Sequence, residues 1–149
     1  MPLLVGGVAA LALVATAIAS PAGSYHGRFE PAGSLAFDLG HKGGHVQVSM
    51  FAFTQFPVNC HHGANTETSS LGYTVRVKSD GSFHTIGIIG HRQHPRSEII
   101  LDGRIGKRGK ASGKMRVFGS AVPVDDMIHG RRDRCDSGKV SWTAKRRRR

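Results

Sequence analysis

Acidic side chains are scarce in this chain of 149 residues. Asp and Glu together number 10 against 21 Lys and Arg, so the formal net charge is +11 with neutral histidine. This imbalance favours anionic partners, such as nucleic acid, acidic polysaccharide or phospholipid. Charge alone does not choose among these three classes.

The sequence also lacks the motifs of the common catalytic sites. No H-E-x-x-H, C-x-x-C, G-x-S-x-G or Walker spacing occurs. The glycine-rich run from Gly103 to Lys114 lies between two strand patterns, which is typical of a hairpin turn. Asp125 and Asp126 are adjacent and point to opposite sides of an extended chain, which argues against joint acid and base roles. We therefore predict that the protein is not an enzyme and has no cofactor.

Long apolar runs are absent apart from one at the N-terminus. It extends from Leu3 to Ala19 without a charged side chain, a length that suits a signal peptide better than a membrane span. Ala17-Ile18-Ala19 fits a cleavage site, although no Lys or Arg precedes the run. An uncleaved anchor is the alternative. We predict a signal peptide over residues 1–19, no membrane span after cleavage, and an extracellular or cell-envelope location.

Aromatic residues are few and glycines many, a balance typical of short strands joined by tight turns. Trp, Tyr and Phe number 10 and Gly numbers 20. Period-two alternation, in which every second residue is apolar, indicates strands with one buried face. It is seen in Leu35–Leu39, Leu71–Val77, Ile99–Ile105, Met115–Val117 and Val140–Ala144.

Turn sequences separate these patterns. SDG at Ser79 to Gly81 and GKRGK at Gly106 to Lys110 predict hairpins. HKGGH at His41 to His45 predicts a turn between one strand and a longer strand that ends at Phe56. In that run the apolar face switches after Met50, which predicts a bulge or burial on both faces. Residues 121–137 lack alternation and predict a long loop.

The pattern as a whole predicts an all-β fold of about eight short strands. An antiparallel sandwich and a small barrel both bury one apolar face per strand, and the sequence does not separate them. We predict a single domain over residues 20–145, monomeric, followed by a disordered basic tail at 146–149.

The chain has two cysteines, Cys60 and Cys135, an even count in a chain that carries an export signal. Outside the cytosol such thiols normally oxidise, which predicts one disulfide. The two residues lie 75 positions apart. Closing a loop of that length restricts the unfolded chain by about 4.5 kcal/mol in the entropy model, an upper estimate.

Nine histidines allow a competing hypothesis of metal binding. Several are grouped in predicted turns, and a thiolate with imidazoles can ligate zinc, but no recognised ligand spacing is present. Exposed turn histidines that bind nothing are the simpler interpretation. The candidate metal ligands are His61, His62, His91 and His94.

Basic residues occupy the polar positions of several predicted strands. If those strands are neighbours, their charges gather on one outer face of the sheet. Such a face would bind a polyanion, or would serve only to keep the protein soluble. The candidate polyanion-binding residues are Arg76, Lys78, Arg104, Lys114, Arg116, Arg131 and Arg132.

The two ends of the mature chain resemble a recurrent group of small exported bacterial β-domains. GSYHG at Gly23 to Gly27 is similar to their opening strand, and CDSGKVSWTAKR at Cys135 to Arg146 is similar to their closing strand. The resemblance implies an all-β fold, export and the pairing of Cys60 with Cys135, and it implies no catalytic residue.

Together these observations predict an exported, non-catalytic β-domain that binds an anionic envelope or extracellular polymer through a cationic sheet face and tail. The first alternative is a β-barrel that carries a small apolar ligand, as lipocalin-like cups do. The second is extracellular metal binding by the histidine groups.

Overall fold

The computed structural model describes residues 22–61, 63–89, 97–121 and 133–148. The predicted signal peptide lies outside the described residues. The described chain is all-β, with one short 3-10 turn at Lys107–Gly109 between two of its strands. The ten strands are β1 Gly23–Phe29, β2 Ser34–Lys42, β3 His45–Cys60, β4 Gly63–Ser70, β5 Val75–Arg76, β6 Ser82–Ile89, β7 Ser97–Ile105, β8 Lys110–Ala121, β9 Asp133–Asp136 and β10 Val140–Arg146.

Six of these strands close into an antiparallel barrel. Their order around the ring is β10, β1, β2, β3, β9 and β8, and β8 pairs again with β10. The remaining strands extend the wall: β7 pairs with β8 and β6 with β7, whereas β4 and β5 both pair with β3. Of the two architectures that the sequence left open, the barrel is the one observed.

The barrel interior holds the apolar face of each alternating strand. Phe37 stacks on Tyr25 with ring centroids 4.9 Å apart, and the Trp142 ring lies 6.1 Å from that of Phe37 and 6.2 Å from that of Phe83. All four side chains are at most 2% exposed. Aromatic side chains bury large apolar areas, so this cluster supplies much of the hydrophobic stabilisation.

The predicted switch of face in β3 is a bulge. The register between β2 and β3 shifts where Ala36 and Asp38 face Ala52 and Ser49. Met50, between those two partners, has φ 52° and is 72% exposed. The extra residue turns Phe51 inward, so Val48 and Phe51 are both buried although they are three positions apart.

Three elements differ from the sequence-based expectation. The predicted strand at Leu71–Val77 is reduced to the two residues of β5, and Tyr73 is 41% exposed. The predicted loop over 121–137 contains β9, which pairs with β3 and β8. Strand β10 continues to Arg146, where it pairs with Tyr25, one residue into the predicted tail.

The predicted disulfide is present and joins two strands of the ring. Cys60 at the end of β3 lies directly opposite Cys135 in β9, with their Cα atoms 3.9 Å apart. Two residue pairs of β3 and β9 are in register, and the His61 N–H donates to the Arg134 carbonyl just beyond them, so the covalent bond reinforces a short described junction. A disulfide of this kind is typical of proteins that fold in an oxidising, extracellular-type environment.

Candidate functional site

Both described chain ends and three turns meet at one end of the barrel. The antiparallel register requires this: β1 begins where β2 and β10 end, and Lys110 at the start of β8 faces Lys145 near the end of β10. The β2–β3 turn (residues 42–45), the turn between β5 and β6 (residues 78–82) and the β7–β8 turn (residues 106–110) therefore lie together.

This end of the barrel, the cationic end, carries most of the described positive charge. Two acidic side chains are described there, Asp38 and Asp80, and Asp38 accepts a hydrogen bond from the Ser24 hydroxyl at 2.6 Å. The eleven Lys and Arg residues of the cationic end are Lys42, Arg76, Lys78, Arg104, Lys107, Arg108, Lys110, Lys145, Arg146, Arg147 and Arg148.

Arg146 closes the cationic end of the barrel. Its side chain lies on Gly23 and Gly109, where a Cβ atom would come within 3.3 and 2.9 Å of it, and its guanidinium donates to the Ala22 carbonyl at 3.4 Å. Tyr25 lies beneath. Burial raises the pKa of Tyr25, and the positive charge of Arg146 opposes that shift in part.

The turn between β5 and β6 is fixed by Asp80. The carboxylate of Asp80 accepts hydrogen bonds from the hydroxyl and backbone N–H of Ser82, at 2.6 and 2.9 Å, and lies 3.4 Å from the Arg104 guanidinium. These hydrogen bonds, followed by the charges of Arg104 and Lys78, lower the pKa of Asp80. On the neighbouring turn, the Arg76 guanidinium donates to His45 Nδ1 at 2.9 Å.

The rest of the described surface is balanced in charge. Arg116 binds Asp136 through two hydrogen bonds, and its guanidinium lies 4.9 Å from the centre of the Phe118 ring. Hydrogen bonding to Arg116 lowers the pKa of Asp136. His84 Nδ1 lies 2.6 Å from an oxygen of Asp102. The described Lys and Arg residues away from the cationic end are Arg28, Lys114, Arg116, Arg134 and Lys139, and the acids there include Glu30, Glu67, Glu98, Asp102 and Asp136.

A depression of about 830 Å³ indents the outer wall beside the cationic end. Two rows of residues, aligned across neighbouring strands, form it. One row runs Arg28, Thr143, Ser112 and Arg104 across β1, β10, β8 and β7; the other runs His26, Lys145 and Lys110 across β1, β10 and β8. We call this depression the cup.

The cup contains small residues surrounded by long cationic ones. Ser112 and Thr143 form the middle of its first row, with Arg28 and Arg104 at the two sides. Lys110 and Lys145 stand directly opposite each other in the second row. No acidic side chain lines the cup, and the ion pairs of the described residues leave Arg28, Lys110 and Lys145 without a carboxylate partner.

The predicted polyanion-binding residues are divided between two places. Arg76, Lys78 and Arg104 lie at the cationic end, whereas Lys114 faces Asp102 across the β7–β8 ladder and Arg116 binds Asp136. Arg104, Lys114 and Arg116 lie on the same outward face of the β7–β8 pair, whereas Arg76 lies in β5, which pairs with β3. The predicted sites Arg131 and Arg132 lie outside the described residues.

One of the four predicted metal ligands is described. His61 follows β3, and its backbone N–H donates to the Arg134 carbonyl at 3.0 Å. His62, His91 and His94 lie outside the described residues. Within the described ranges, no group of three or more His, Cys, Asp or Glu side chains is arranged to hold a metal ion.

Besides Ser112 and Thr143, four basic residues of the cup did not appear among the predicted sites: His26, Arg28, Lys110 and Lys145. The polar alternation of β1 and β10 placed three of them on outward positions, and this was the available signal. The missing information was that β10 lies between β1 and β8, a contact between strands more than 110 residues apart for β1 and β10.

Comparison with known protein families, with curated proteins and with solved structures finds no match to this chain. The resemblance of its two ends to small exported bacterial domains stays a prediction. Among the described residues, no helix has the length and apolar character that crossing a membrane requires.

Proposed function

We propose that the protein is an exported, non-catalytic domain that binds an anionic polymer at its cationic end. The observation that carries the proposal is the segregation of charge: eleven Lys and Arg residues share one end of the barrel with two described acids. Such a concentration of positive charge attracts polyanions through counterion release and steered association.

The alternative that the charge serves solubility alone accounts less well for this arrangement. A surface that only prevents aggregation needs net charge, and mixed signs spread over the molecule provide it at lower repulsive cost. In this protein acidic side chains accompany the basic ones on the outer wall, where Arg116 binds Asp136 and Lys114 faces Asp102. The cationic end is left largely uncompensated, and an anionic ligand would relieve its repulsion.

Transport of a small apolar ligand is the weaker candidate because the barrel interior is filled. Packed rings occupy its centre, with Phe37, Phe51 and Phe83 all within 6.4 Å of Trp142, measured between ring centroids. Lipocalin-like carriers keep an open apolar cavity at the centre of the barrel. Metal binding by the histidine groups remains a third proposal, which metal analysis of the purified protein would test.

The disulfide supports the exported location. Paired thiols persist outside the reducing cytosol, and a cell envelope or extracellular matrix supplies anionic polymers. Intact mass after alkylation without reductant, on protein recovered from the medium or envelope, tests this part of the proposal. Cleavage near Ala19 and no alkyl adduct are expected, and a full-length cytosolic chain with two adducts would overturn the proposed export.

Two double variants test the binding surface at equal net charge. Lys78→Gln with Lys107→Gln removes two charges from the cationic end, and Lys114→Gln with Lys139→Gln removes two from the outer wall. Binding to fluorescent polyphosphate should weaken as salt rises. The slope of log affinity against log salt should fall by about 0.7–0.9 for each lost contact in the first variant, and should change little in the second. Equal effects of the two variants, or binding that ignores salt, would refute the proposal.

A further inference from the structure

We propose that the cup binds a tetrahedral oxyanion, a phosphate or sulfate ester group of the polymer. This inference rests on the proposed function, because it names the chemical class of group that the protein recognises. It depends on the cup geometry and not on the overall charge, so it can fail while the proposed function stands.

The depression exists because the barrel wall contains small residues at this place. An added Cβ at Gly27 would lie 2.1 Å from the Thr143 carbonyl oxygen and 2.7 Å from the Ala144 side chain, so β1 and β10 approach too closely for any other residue. Ala111 and Ala144 face inward on β8 and β10. With little side-chain volume beneath it, the wall here is drawn towards the core, and an otherwise convex surface gains a concave site.

The short outward residues supply hydroxyl donors at the centre of that site. Thr143 and Ser112 face each other across the β10–β8 ladder and are both exposed. Paired strands are about 4.8 Å apart, so the two hydroxyls stand roughly one anion diameter from each other. Each hydroxyl donates one hydrogen bond, and neither is engaged in a side-chain hydrogen bond described for this part of the chain.

Charged donors surround the hydroxyls on three sides. Arg28 and Arg104 flank them along the first row, about 14 Å apart at the backbone by strand spacing. The Arg104 guanidinium also lies 3.4 Å from Asp80, whereas Arg28 has no carboxylate partner among the ion pairs of the described residues. Lys110 and Lys145 stand along the second row. Donors that converge from several directions match the oxygens of a tetrahedral group, whereas a planar carboxylate presents two oxygens in one plane.

The charge of the cup also favours a phosphate monoester over a carboxylate or a sulfate ester, each of which carries one negative charge. Lys110 and Lys145 are opposite each other on neighbouring strands, an arrangement that destabilises a sheet when no counter-charge is present. A phosphate monoester carries up to two negative charges near neutral pH, so one bound group offsets both lysines. Arg and Lys are the side chains that proteins use to bind phosphate groups.

The test compares two polyanions that differ in the shape of their charged groups. Polyphosphate and poly-L-glutamate of matched charge are titrated into the wild-type protein at equal salt. We expect polyphosphate to bind at least about tenfold more tightly, which corresponds to about 1.4 kcal/mol. If the two bind equally, the cup inference is wrong and the proposed function stands. If neither binds, both are wrong.

Variants that keep every charge test whether the two hydroxyls cause the preference for polyphosphate. Ser112→Ala with Thr143→Val removes the two hydroxyls and should abolish the preference for polyphosphate while leaving poly-L-glutamate binding intact. Ser141→Ala, on the next outward position of β10, is the matched control and should keep the preference. A preference that survives the double variant would overturn the inference. Thermal unfolding of each variant confirms that it is folded.

Further measurements distinguish the sources of the oxyanion. Amide shifts of Ser112 and Thr143 on addition of inorganic phosphate alone would support the site, and their absence at saturating phosphate would count against it. Dextran sulfate replaces phosphate by sulfate. Vesicles containing phosphatidylglycerol replace the polymer by a membrane: tighter binding to these vesicles than to soluble polyphosphate, lost in the Ser112→Ala, Thr143→Val double variant, would support the oxyanion site and overturn the choice of a polymer.

Discussion

At the scale of single residues, alternation predicted the buried positions well where strands are long. Leu35, Phe37 and Trp142 are each at most 3% exposed, as expected from their place in apolar-polar patterns. Tyr73 was predicted to be buried and is 41% exposed. Strand β5 begins only at Val75, so the alternation of buried and exposed side chains does not extend to Tyr73. The Tyr73 hydroxyl lies 3.3 Å from the Thr85 hydroxyl.

Gly113 is a residue at which one methyl group should disturb the barrel. A Cβ there would lie 2.0 Å from the Asp102 carbonyl oxygen and 2.6 Å from the Trp142 ring. The Asp102 backbone cannot move away without disturbing the β7–β8 ladder. Gly113→Ala should therefore lower the free energy of unfolding by about 1–3 kcal/mol, measured by urea denaturation.

The matched control for Gly113→Ala is Gly40→Ala in β2. Nothing lies within 4 Å of a Cβ at Gly40. Alanine there restricts the unfolded chain without a clash, so stability should stay the same or rise by up to about 1 kcal/mol. A similar loss of stability in both variants would show that close packing is not the cause.

At the scale of elements, the long strand β3 shows what a pattern can and cannot reveal. The first bulge was predictable because Val48 and Phe51 break the alternation of apolar residues. A second register shift, between Phe53 and Phe56, includes Gln55 with φ 53°. Pro57 and the mixed polarity around it obscured that shift in the sequence. Bulges bend a strand and increase its twist, which helps this sheet to close.

The positive φ of Met50 gives a prediction about the first bulge. Left-handed backbone costs most residues about 1 kcal/mol, and asparagine tolerates it better. Because the Met50 side chain is 72% exposed, its removal loses little packing. Met50→Asn should raise the free energy of unfolding by about 0.5–1 kcal/mol.

Met50→Ala separates the effect of the backbone from that of the side chain. Alanine removes the methionine side chain but has no better access to positive φ, so thermal unfolding should show no gain. Equal stabilisation by Asn and Ala would attribute the effect to the loss of an exposed apolar side chain.

At the scale of the whole molecule, the sequence predicted an all-β domain but not the closure of the barrel. Closure depends on β1 pairing with β10 and on β9 joining β3 to β8, contacts that no local pattern encodes. The concentration of charge at one end follows from the same contacts. Basic residues in four separate segments were visible in the sequence, and only the topology brings them together.

The disulfide gives the prediction that belongs to this scale. Replacing both cysteines with alanine should lower the free energy of unfolding by up to about 4.5 kcal/mol, because the unfolded chain is no longer closed into a long loop. Chemical denaturation with and without reductant measures the loss. Reductant should destabilise the wild type to the level of the double variant and leave the variant unchanged; an unchanged wild type would contradict the prediction.

The pairing of β1 with β10 has a consequence for a tethered molecule. Tyr25 faces Arg146, so Ala22 and Arg148 both leave the barrel at the cationic end. If either terminus were attached to a surface, the basic residues of the cationic end would be held close to the attachment point. Binding to anions on that surface would then be an intramolecular step with an effective concentration set by the tether. A site of modest affinity in solution would be nearly always occupied at such a surface.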